Sequence, residues 1–197
     1  MLLYESRVSG NCYKVRLLLT QLGIDFERRE LDVVDRSDRP AVIGHLNPAL
    51  RIPTLVLDDG RALAESNAIM FYFAEPTPLI PEDRYERAQV LQWLFFEQYS
   101  HEPYIAVARF WRIAGIEPAE SELQAKRRGG GAALQALESH LGGRSFLVAE
   151  RYTIADIALY AYTHVAPEGG FPLEPYPAVQ AWLQRVAAQP GHVSITD

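Results

Sequence analysis

The chain has 197 residues, 48% of them hydrophobic and 22% charged, and a formal net charge of −6. This composition is typical of a soluble globular protein of one domain or two small ones, and the negative charge argues against nucleic acid as a general partner. No apolar run is long enough to cross a membrane, and Met1 to Val8 lack the pattern of a signal peptide. The single cysteine, Cys12, excludes an internal disulfide framework and fits a reducing cytosol, so we expect a cytoplasmic protein.

The first part of the chain, up to about residue 75, alternates between strand and helix patterns. The β-α-β-α-β-β-α order predicts a small mixed sheet with helices on its faces. The predicted elements are strand 2–5, helix 11–22, strand 26–31, an irregular helix 36–44, strands 54–57 and 61–64 around a turn at Asp59-Gly60, and helix 66–75.

A proline-rich stretch follows at 76–81, and beyond it the chain shows almost only helical patterns. The glycine triplet 129–131 lies inside one of these helices and predicts a kink or a break there. We therefore predict an α/β domain at 1–76, a linker at 77–81 and an all-helical domain at 82–197. The predicted helices are 82–113, 118–141, 153–164 and 177–188.

A capping motif begins the third of these helices at Thr153-Ile154-Ala155-Asp156. The Asp156 carboxylate can accept a hydrogen bond from the Thr153 N–H, and the Thr153 hydroxyl can accept one from the Asp156 N–H. Because local capping accounts for both side chains, we predict structural roles for Thr153 and Asp156. Removing the carboxylate should cost on the order of 1 kcal/mol or more.

The most informative segment runs from 47 to 57 and is followed by Glu65 and Ser66. Pro53 has no N–H to donate, so it belongs at the first residue of a strand or in a turn. If the Ile52–Pro53 bond is cis, Ile52 turns its N–H and C=O outward, where an extended peptide can pair with them. Ser66 can cap a helix whose free N–H groups favour a carboxylate. A peptide ending in a carboxylate would satisfy both features.

Together these motifs resemble the cytosolic glutathione transferases, and the resemblance covers the whole chain. It implies a thioredoxin-like N-terminal domain followed by an all-helical C-terminal domain, and a homodimer. It implies glutathione as co-substrate, with no separate cofactor and no metal. It also implies that Pro53 is cis, that the backbone of Ile52 pairs with the cysteinyl part of glutathione, and that Glu65 and Ser66 hold its γ-glutamyl end. The stretches that carry it are 9–15, 47–57, 65–69 and 153–156.

Ser9 is the predicted catalytic residue. It precedes the first helix, where N–H groups and the positive end of the helix dipole stabilise an anion. The thiolate is the nucleophile, and because a free thiol has a pKa of about 8.5, a hydroxyl that donates to the sulfur would help to ionise it. The resemblance to the serine-type classes puts their active serine at Ser9, and Asn11 could add a second donor.

Two other residues near the first helix are alternatives to Ser9. Tyr4 is one, since other transferase classes use a tyrosine at the end of the first strand, although a core or lining position suits its alternation. Cys12 is the second, because Ser9-x-x-Cys12 has the spacing of a thioredoxin motif with its first cysteine replaced. A thiol on a buried helix is more often a small apolar filler. We expect Tyr13 to be partly exposed and Lys14 to be a surface or interface charge.

Two charged residues flank the predicted glutathione site. Arg51 could meet the glycine carboxylate of glutathione, or it could be a solvated arginine. Glu65 would attract the γ-glutamyl ammonium while Ser66 and its helix take the carboxylate; alternatively, it only complements the helix dipole.

A second substrate is expected between the domains. Tyr104 and Trp111 share a helix face with Ala108, and if that face meets the Ser9 loop they would line an apolar pocket for an electrophile. Plain core packing is the alternative for these aromatic residues. We therefore expect a glutathione transferase that conjugates the thiolate to hydrophobic electrophiles. The alternatives are another glutathione-dependent enzyme, such as an isomerase, dehalogenase or peroxidase, and a non-catalytic binding protein of the same fold.

Overall fold

A computed structural model of the chain describes residues 1–75 and 77–197. These residues form two compact units, one made of Met1–Thr77 with Pro190–Asp197 and the other of Pro78–Gln189. Pro76, where the predicted first domain ends, lies outside the described residues. The C-terminal segment Pro190–Asp197, which the sequence pattern puts in the all-helical domain, groups with the first unit.

The first unit contains the predicted mixed sheet. Its four strands lie in the order β2-β1-β3-β4, with β1 and β2 parallel and the other two neighbouring pairs antiparallel. The element order matches the prediction from the sequence. The bounds are β1 Leu2–Glu5, α1 Gly10–Gln21, β2 Glu27–Glu30, α2 Arg39–Ile43, β3 Thr54–Val56, β4 Ala62–Ala64 and α3 Ser66–Ala74.

Helices cover both faces of this sheet because neighbouring strand residues point to opposite sides. Leu3 packs with α1 and α3, in a cluster of fully buried residues that includes Leu19 and Ile69. The next residue, Tyr4, packs on the other face with Leu31 and with Ile43 of α2. Tyr4 is only 8% exposed, so it takes the core position that its alternation suggests.

The C-terminal segment is fastened to the first unit by long-range hydrogen bonds. The Tyr13 hydroxyl donates to the carbonyl oxygen of Val193 at 2.7 Å, and Arg28 donates to that of Asp197 at 2.8 Å. Tyr13 is completely buried, so the expectation of partial exposure is wrong. Its hydroxyl is satisfied by a partner at the far end of the chain.

The second unit is helical. The predicted helix 82–113 is interrupted in its middle by a short π-helical segment at Glu97–His101. In the part of the chain that the structure describes, no helix is both long and apolar enough to cross a bilayer. The helices are α4 Arg84–Phe96, α5 Glu102–Ile113, α6 Glu120–Leu141, α7 Ile154–Thr163 and α8 Pro177–Ala187, with a 3-10 turn at Ala166–Gly169.

The glycine triplet does not break α6, so the expectation of a break is wrong. A Cβ on Gly129 would lie 2.3 Å from the Tyr104 ring, and one on Gly130 would lie 2.2 Å from the Phe171 ring. The missing side chains therefore let two aromatic rings pack directly on the helix backbone.

Asp156 makes the predicted cap and two further contacts. One carboxylate oxygen accepts from the Thr153 N–H at 2.9 Å and from its hydroxyl at 3.1 Å. The other accepts from the Leu147 N–H at 3.0 Å and from the Trp182 indole N–H at 2.9 Å. Burial raises the pKa of Asp156 to about 6, against the opposing effect of these hydrogen bonds. The carboxylate thus joins the start of α7 to α8 and to the preceding loop.

Candidate functional site

Ser9 is the N-cap of α1. Its side chain accepts a hydrogen bond from the backbone N–H of Cys12, with 3.3 Å between nitrogen and oxygen. The side chain is half-buried. Because the Ser9 oxygen acts as the acceptor in the cap, its own proton remains available for donation to a group outside the helix.

Cys12 lies behind Ser9 and is inaccessible. It is fully buried, and its sulfur accepts from the Ser6 N–H at 3.4 Å. Burial raises the pKa of the Cys12 thiol to about 12, so the thiol is protonated at neutral pH. A buried neutral thiol is a poor nucleophile, which argues against thiol–disulfide exchange at this position.

A hydrogen bond joins the starts of α1 and α3. The Ser66 hydroxyl donates to the side-chain oxygen of Asn11 at 3.3 Å. Ser66 is the first helical residue of α3 and not its cap, a position that Glu65 takes instead. The two helix N-termini, where the first N–H groups have no acceptor within their own helix, therefore lie side by side.

Lys14 belongs to the same cluster, which the sequence analysis missed. Its ammonium donates to the Asn11 side-chain oxygen at 2.8 Å and to the Ser66 hydroxyl at 3.4 Å. Lys14 is completely buried, so the expectation of a surface charge is wrong. One signal was available in the sequence, because Lys14 precedes Leu18 by one helical turn and so shares its apolar face.

Glu65 has an unusual backbone conformation, with φ of 66° and ψ of 111°. A positive φ is uncommon outside glycine and costs on the order of 1–3 kcal/mol when the surrounding structure imposes it. The Glu65 side chain is exposed beside the buried Ser66. This conformation presents an acidic group next to the N-terminus of α3.

The Ile52–Pro53 peptide bond is cis, as the resemblance implied. Among residues 1–75 and 77–197, neither the N–H nor the C=O of Ile52 has a hydrogen-bond partner. The preceding carbonyl, that of Arg51, accepts from the Asn47 amide at 3.0 Å and from the Thr54 hydroxyl at 2.8 Å. The loop is thus fixed on one side of Ile52, while the Arg51 side chain is exposed.

Tyr104 and Trp111 lie in the helical unit on α5, and both are half-buried. The Lys126 ammonium lies 5.6 Å from the Tyr104 ring centroid and 5.7 Å from that of Trp111. It also donates to the carbonyl oxygen of Pro103 at 2.9 Å. The structure therefore brings the two predicted aromatic residues together around one cation.

Comparisons with known proteins agree with this architecture. Residues 3–79 match the family model of the glutathione S-transferase N-terminal domain, and residues 86–190 match that of the C-terminal domain. A crystal structure of glutathione S-transferase from Pseudomonas fluorescens is similar to this chain with a TM-score of 0.95 and 47% sequence identity. The match covers 100% of this chain and 98% of that one.

Curated relatives include proteins of more than one kind. Glutathione S-transferase D7 from Anopheles gambiae is 33% identical over 187 residues, which cover 93% of this chain and 84% of that protein. Elongation factor 1-gamma from Artemia salina is 36% identical over 172 residues, which cover 84% of this chain but 40% of that protein. From the two family models and the nearly complete match to a solved transferase, we conclude that this chain belongs to the glutathione S-transferase family.

Proposed function

We propose that this protein is a serine-type glutathione transferase that adds the thiolate of glutathione to hydrophobic electrophiles. The observation that carries the proposal is the 3.3 Å contact between the side chains of Asn11 and Ser66. It holds the helix that Ser9 caps against the helix that Ser66 begins. One tripeptide can therefore reach both helix N-termini, with its sulfur at the first and its amino-acid head at the second.

Glutathione binds in this proposal along the loop before β3. Its cysteinyl backbone pairs with the N–H and C=O of Ile52 as an added strand next to Pro53. Its γ-glutamyl carboxylate meets the first N–H groups of α3 and the Ser66 hydroxyl. The exposed Glu65 carboxylate takes the γ-glutamyl ammonium, and the exposed Arg51 side chain takes the glycine carboxylate.

Ser9 acts by stabilising the thiolate. Its hydroxyl donates to the glutathione sulfur, and the Asn11 amide and the N-terminus of α1 add positive potential. A hydrogen bond to a charged group contributes about 1.5–3 kcal/mol, which corresponds to a fall of roughly one to two units in the thiol pKa. The thiol proton leaves to solvent, the sulfur forms a bond to the electrophilic carbon, and the leaving group departs with its electron pair.

Tyr104 and Trp111 are the proposed contacts for the electrophile. Their half-buried rings, with the Lys126 ammonium near both, offer an apolar surface and one positive charge. Such a surface suits aromatic electrophiles that carry electron-withdrawing groups.

The test compares glutathione binding with turnover in a Ser9→Ala variant. Calorimetry at a pH below the thiol pKa of both complexes should give nearly the same affinity for the wild type and the variant, because the thiolate that Ser9 stabilises is then absent and the other contacts remain. The ultraviolet absorbance of the bound thiolate, followed against pH, should show a pKa about one to two units higher in the variant, with a matching loss of model arylating activity.

Ser9→Thr is the matched control, since threonine keeps the hydroxyl and can also cap a helix. It should retain most of the low thiol pKa. Unchanged turnover in the Ser9→Ala variant would remove Ser9 from its proposed role.

A second candidate function is glutathione binding without conjugation. The 36% identity to elongation factor 1-gamma favours this candidate. That longer protein contains a related sequence but is not named as a transferase. Tight glutathione binding in the wild type, with no activity towards any of several model electrophiles, would select this candidate. Activity with an isomerase, dehalogenase or peroxidase substrate instead would assign another glutathione-dependent reaction to the same site.

We also propose a homodimer. An exposed apolar stripe runs along α4 into the π-helical segment, with Leu91, Phe95 and Tyr99 spaced four residues apart and 38%, 69% and 85% exposed. Large exposed aromatic residues in one row are typical of an interface. Sedimentation at micromolar concentration should give the mass of two chains, and Phe95→Glu should shift the equilibrium towards one; a monomeric wild type would reject the proposal.

A further inference from the structure

The Lys126 ammonium carries a positive charge beside two aromatic rings of the helical unit. Lys126 is half-buried on α6, and its ammonium lies 5.6 Å from the ring centroid of Tyr104 and 5.7 Å from that of Trp111. Among the residues that the structure describes, the carbonyl oxygen of Pro103 is the only group that accepts a hydrogen bond from this ammonium, at 2.9 Å. An ammonium has three donors, so two remain for water or for a ligand.

Other cations of the helical unit are paired with carboxylates. Arg127, the next residue of α6, lies 3.7 Å from the Glu120 carboxylate, and Arg109 of α5 lies 2.6 Å from that of Glu168. No carboxylate within the described part of the chain forms such a pair with Lys126. Because a ring face attracts a cation only weakly where water also reaches it, the charge of Lys126 is open to a stronger partner, an anion.

The Tyr104 ring is fixed close to this charge by the backbone of α6. Gly129 has no side chain, and a Cβ there would lie 2.3 Å from the ring. Since Gly129 follows Lys126 by three residues, the ring contact and the ammonium are about one helical turn apart. The Tyr104 hydroxyl and the Trp111 indole N–H also have no acceptor in the part of the chain that the structure describes. Aromatic faces and hydrogen-bond donors are thus combined on one surface.

We infer that this surface selects aromatic electrophiles that carry a carboxylate on the ring, an inference that rests on the proposed function and names its substrate class. The ligand ring packs on Tyr104 or Trp111, and its carboxylate accepts hydrogen bonds from the Lys126 ammonium. A neutral apolar ligand of the same size would cover part of the ammonium and return no hydrogen bond, which is costly. Lys126 is therefore a specificity-determining residue for the second substrate.

The test uses two substrates that differ in one substituent. They are 4-chloro-3,5-dinitrobenzoate, which is an anion at neutral pH, and 4-chloro-3,5-dinitrobenzamide, which has nearly the same shape and no charge. With both, the glutathione sulfur forms a bond to the ring carbon that bears chlorine, and chloride leaves with the electron pair of its bond. Each variant is compared with the wild type on the same substrate, so the different intrinsic reactivities of the two substrates cancel.

Three substitutions separate the charge of Lys126 from other effects. Lys126→Met keeps the length of the side chain without its charge, and Lys126→Arg keeps a charge at the same position. The chain has a net charge of −6, so the loss of any cation makes it less attractive to an anion. Arg127→Met is the matched control for this general effect, because it removes the same charge from a side chain that is 56% exposed and paired with Glu120.

We expect Lys126→Met to lower kcat/KM for the benzoate at least about tenfold, because a hydrogen bond between charged groups is lost. The loss should come from KM, with kcat within about twofold of the wild type, and kcat/KM for the benzamide should also stay within about twofold. Lys126→Arg should keep most of the activity on the benzoate, and Arg127→Met should leave both substrates within about twofold. Calorimetry should give the same glutathione affinity for all four proteins, since Lys126 has no proposed contact with glutathione.

The other outcomes distinguish this inference from the proposed function. Equal losses for both substrates, or no loss for the benzoate, would overturn the role of Lys126 and leave the proposed function intact. A wild type that binds glutathione but conjugates neither substrate would overturn both.

Circular dichroism and thermal melting check that the variants fold. If Lys126→Met does not fold, Lys126→Gln takes its place, because its amide can still donate to the Pro103 carbonyl while it carries no charge. The same selective loss for the benzoate is expected with Lys126→Gln, and an unselective loss counts against the inference.

Discussion

Asp156 gives the sharpest stability prediction. Replacing it with alanine removes the acceptor of three N–H donors, those of Leu147, Thr153 and the Trp182 indole, which lie at 2.9–3.0 Å. Each buried donor left without a partner costs about 1–3 kcal/mol, so Asp156→Ala should cost between about 3 and 9 kcal/mol. That is a large share of the stability of an ordinary domain. Asp156→Asn keeps one acceptor oxygen and should cost about 1–3 kcal/mol.

The contribution of Asp156 to the free energy of unfolding changes with pH, and the direction of that change follows from its raised pKa. Burial raises the pKa of Asp156 from its usual 3.8 to about 6, so between these values the folded state holds a proton that the unfolded state has released. The free energy of unfolding must therefore fall as the pH rises through this window. With about 1.4 kcal/mol for each unit, the full contribution of this group is about 3 kcal/mol, and the wild type should lose about 2.4 kcal/mol of it between about pH 4 and about pH 7.

Asp156→Asn does not titrate at this position, so it is the matched control. Urea denaturation, followed by circular dichroism and tryptophan fluorescence at stepped pH, gives the difference in unfolding free energy between the two proteins. The advantage of the wild type should shrink by about 2.4 kcal/mol between pH 4 and pH 7. A difference that stays constant or grows with pH would show that hydrogen bonding, not burial, controls this carboxyl.

Three further predictions concern other sites. The Cys12 thiol should resist disulfide reagents in the native protein and react once denaturant is added, and Cys12→Ala should keep its glutathione affinity; rapid native labelling would contradict its burial. Glu65→Gly should be more stable than Glu65→Ala by about 1 kcal/mol in thermal melts, because glycine tolerates the positive φ at this position. Both variants should bind glutathione more weakly than the wild type. Equal melting points of the two variants would exclude backbone strain. Gly131→Ala should stabilise the protein by up to about 1 kcal/mol in thermal melts, because alanine favours a helix and has open space there. Gly130→Ala should destabilise it by about 1–3 kcal/mol, because the new Cβ would meet the Phe171 ring. The reverse order of stability would refute the packing argument.

The order of the elements was predictable because it depends on local patterns. Hydrophobic spacing and turn residues gave the β-α-β-α-β-β-α order of the first unit and the helical character of the second. The cap at Thr153 was predictable for the same reason, since its partner Asp156 is three residues away. The contact of Asp156 with Trp182 was not, because the two are separated by 26 residues in sequence and are joined only by the tertiary fold.

The errors at Tyr13 and Lys14 have one physical cause. Both residues look polar enough for a surface, and each is buried by a partner remote in sequence. Tyr13 donates to a carbonyl 180 positions away, and Lys14 donates to Ser66, 52 positions away. The α6 glycines show the opposite case, because helix propensity predicts a break there, whereas packing of the Tyr104 and Phe171 rings on Gly129 and Gly130 explains their presence in an unbroken helix.

The position of the segment Pro190–Asp197 at the end of the chain has a consequence for folding during translation. Its carbonyl oxygens accept hydrogen bonds from Tyr13 and Arg28, yet the ribosome makes it only after the whole helical unit. The first unit therefore cannot complete these hydrogen bonds until the ribosome has made the whole helical unit and the segment that follows it. A shortened protein that ends at Thr77 would need residues 190–197 attached to it again in order to bury Tyr13.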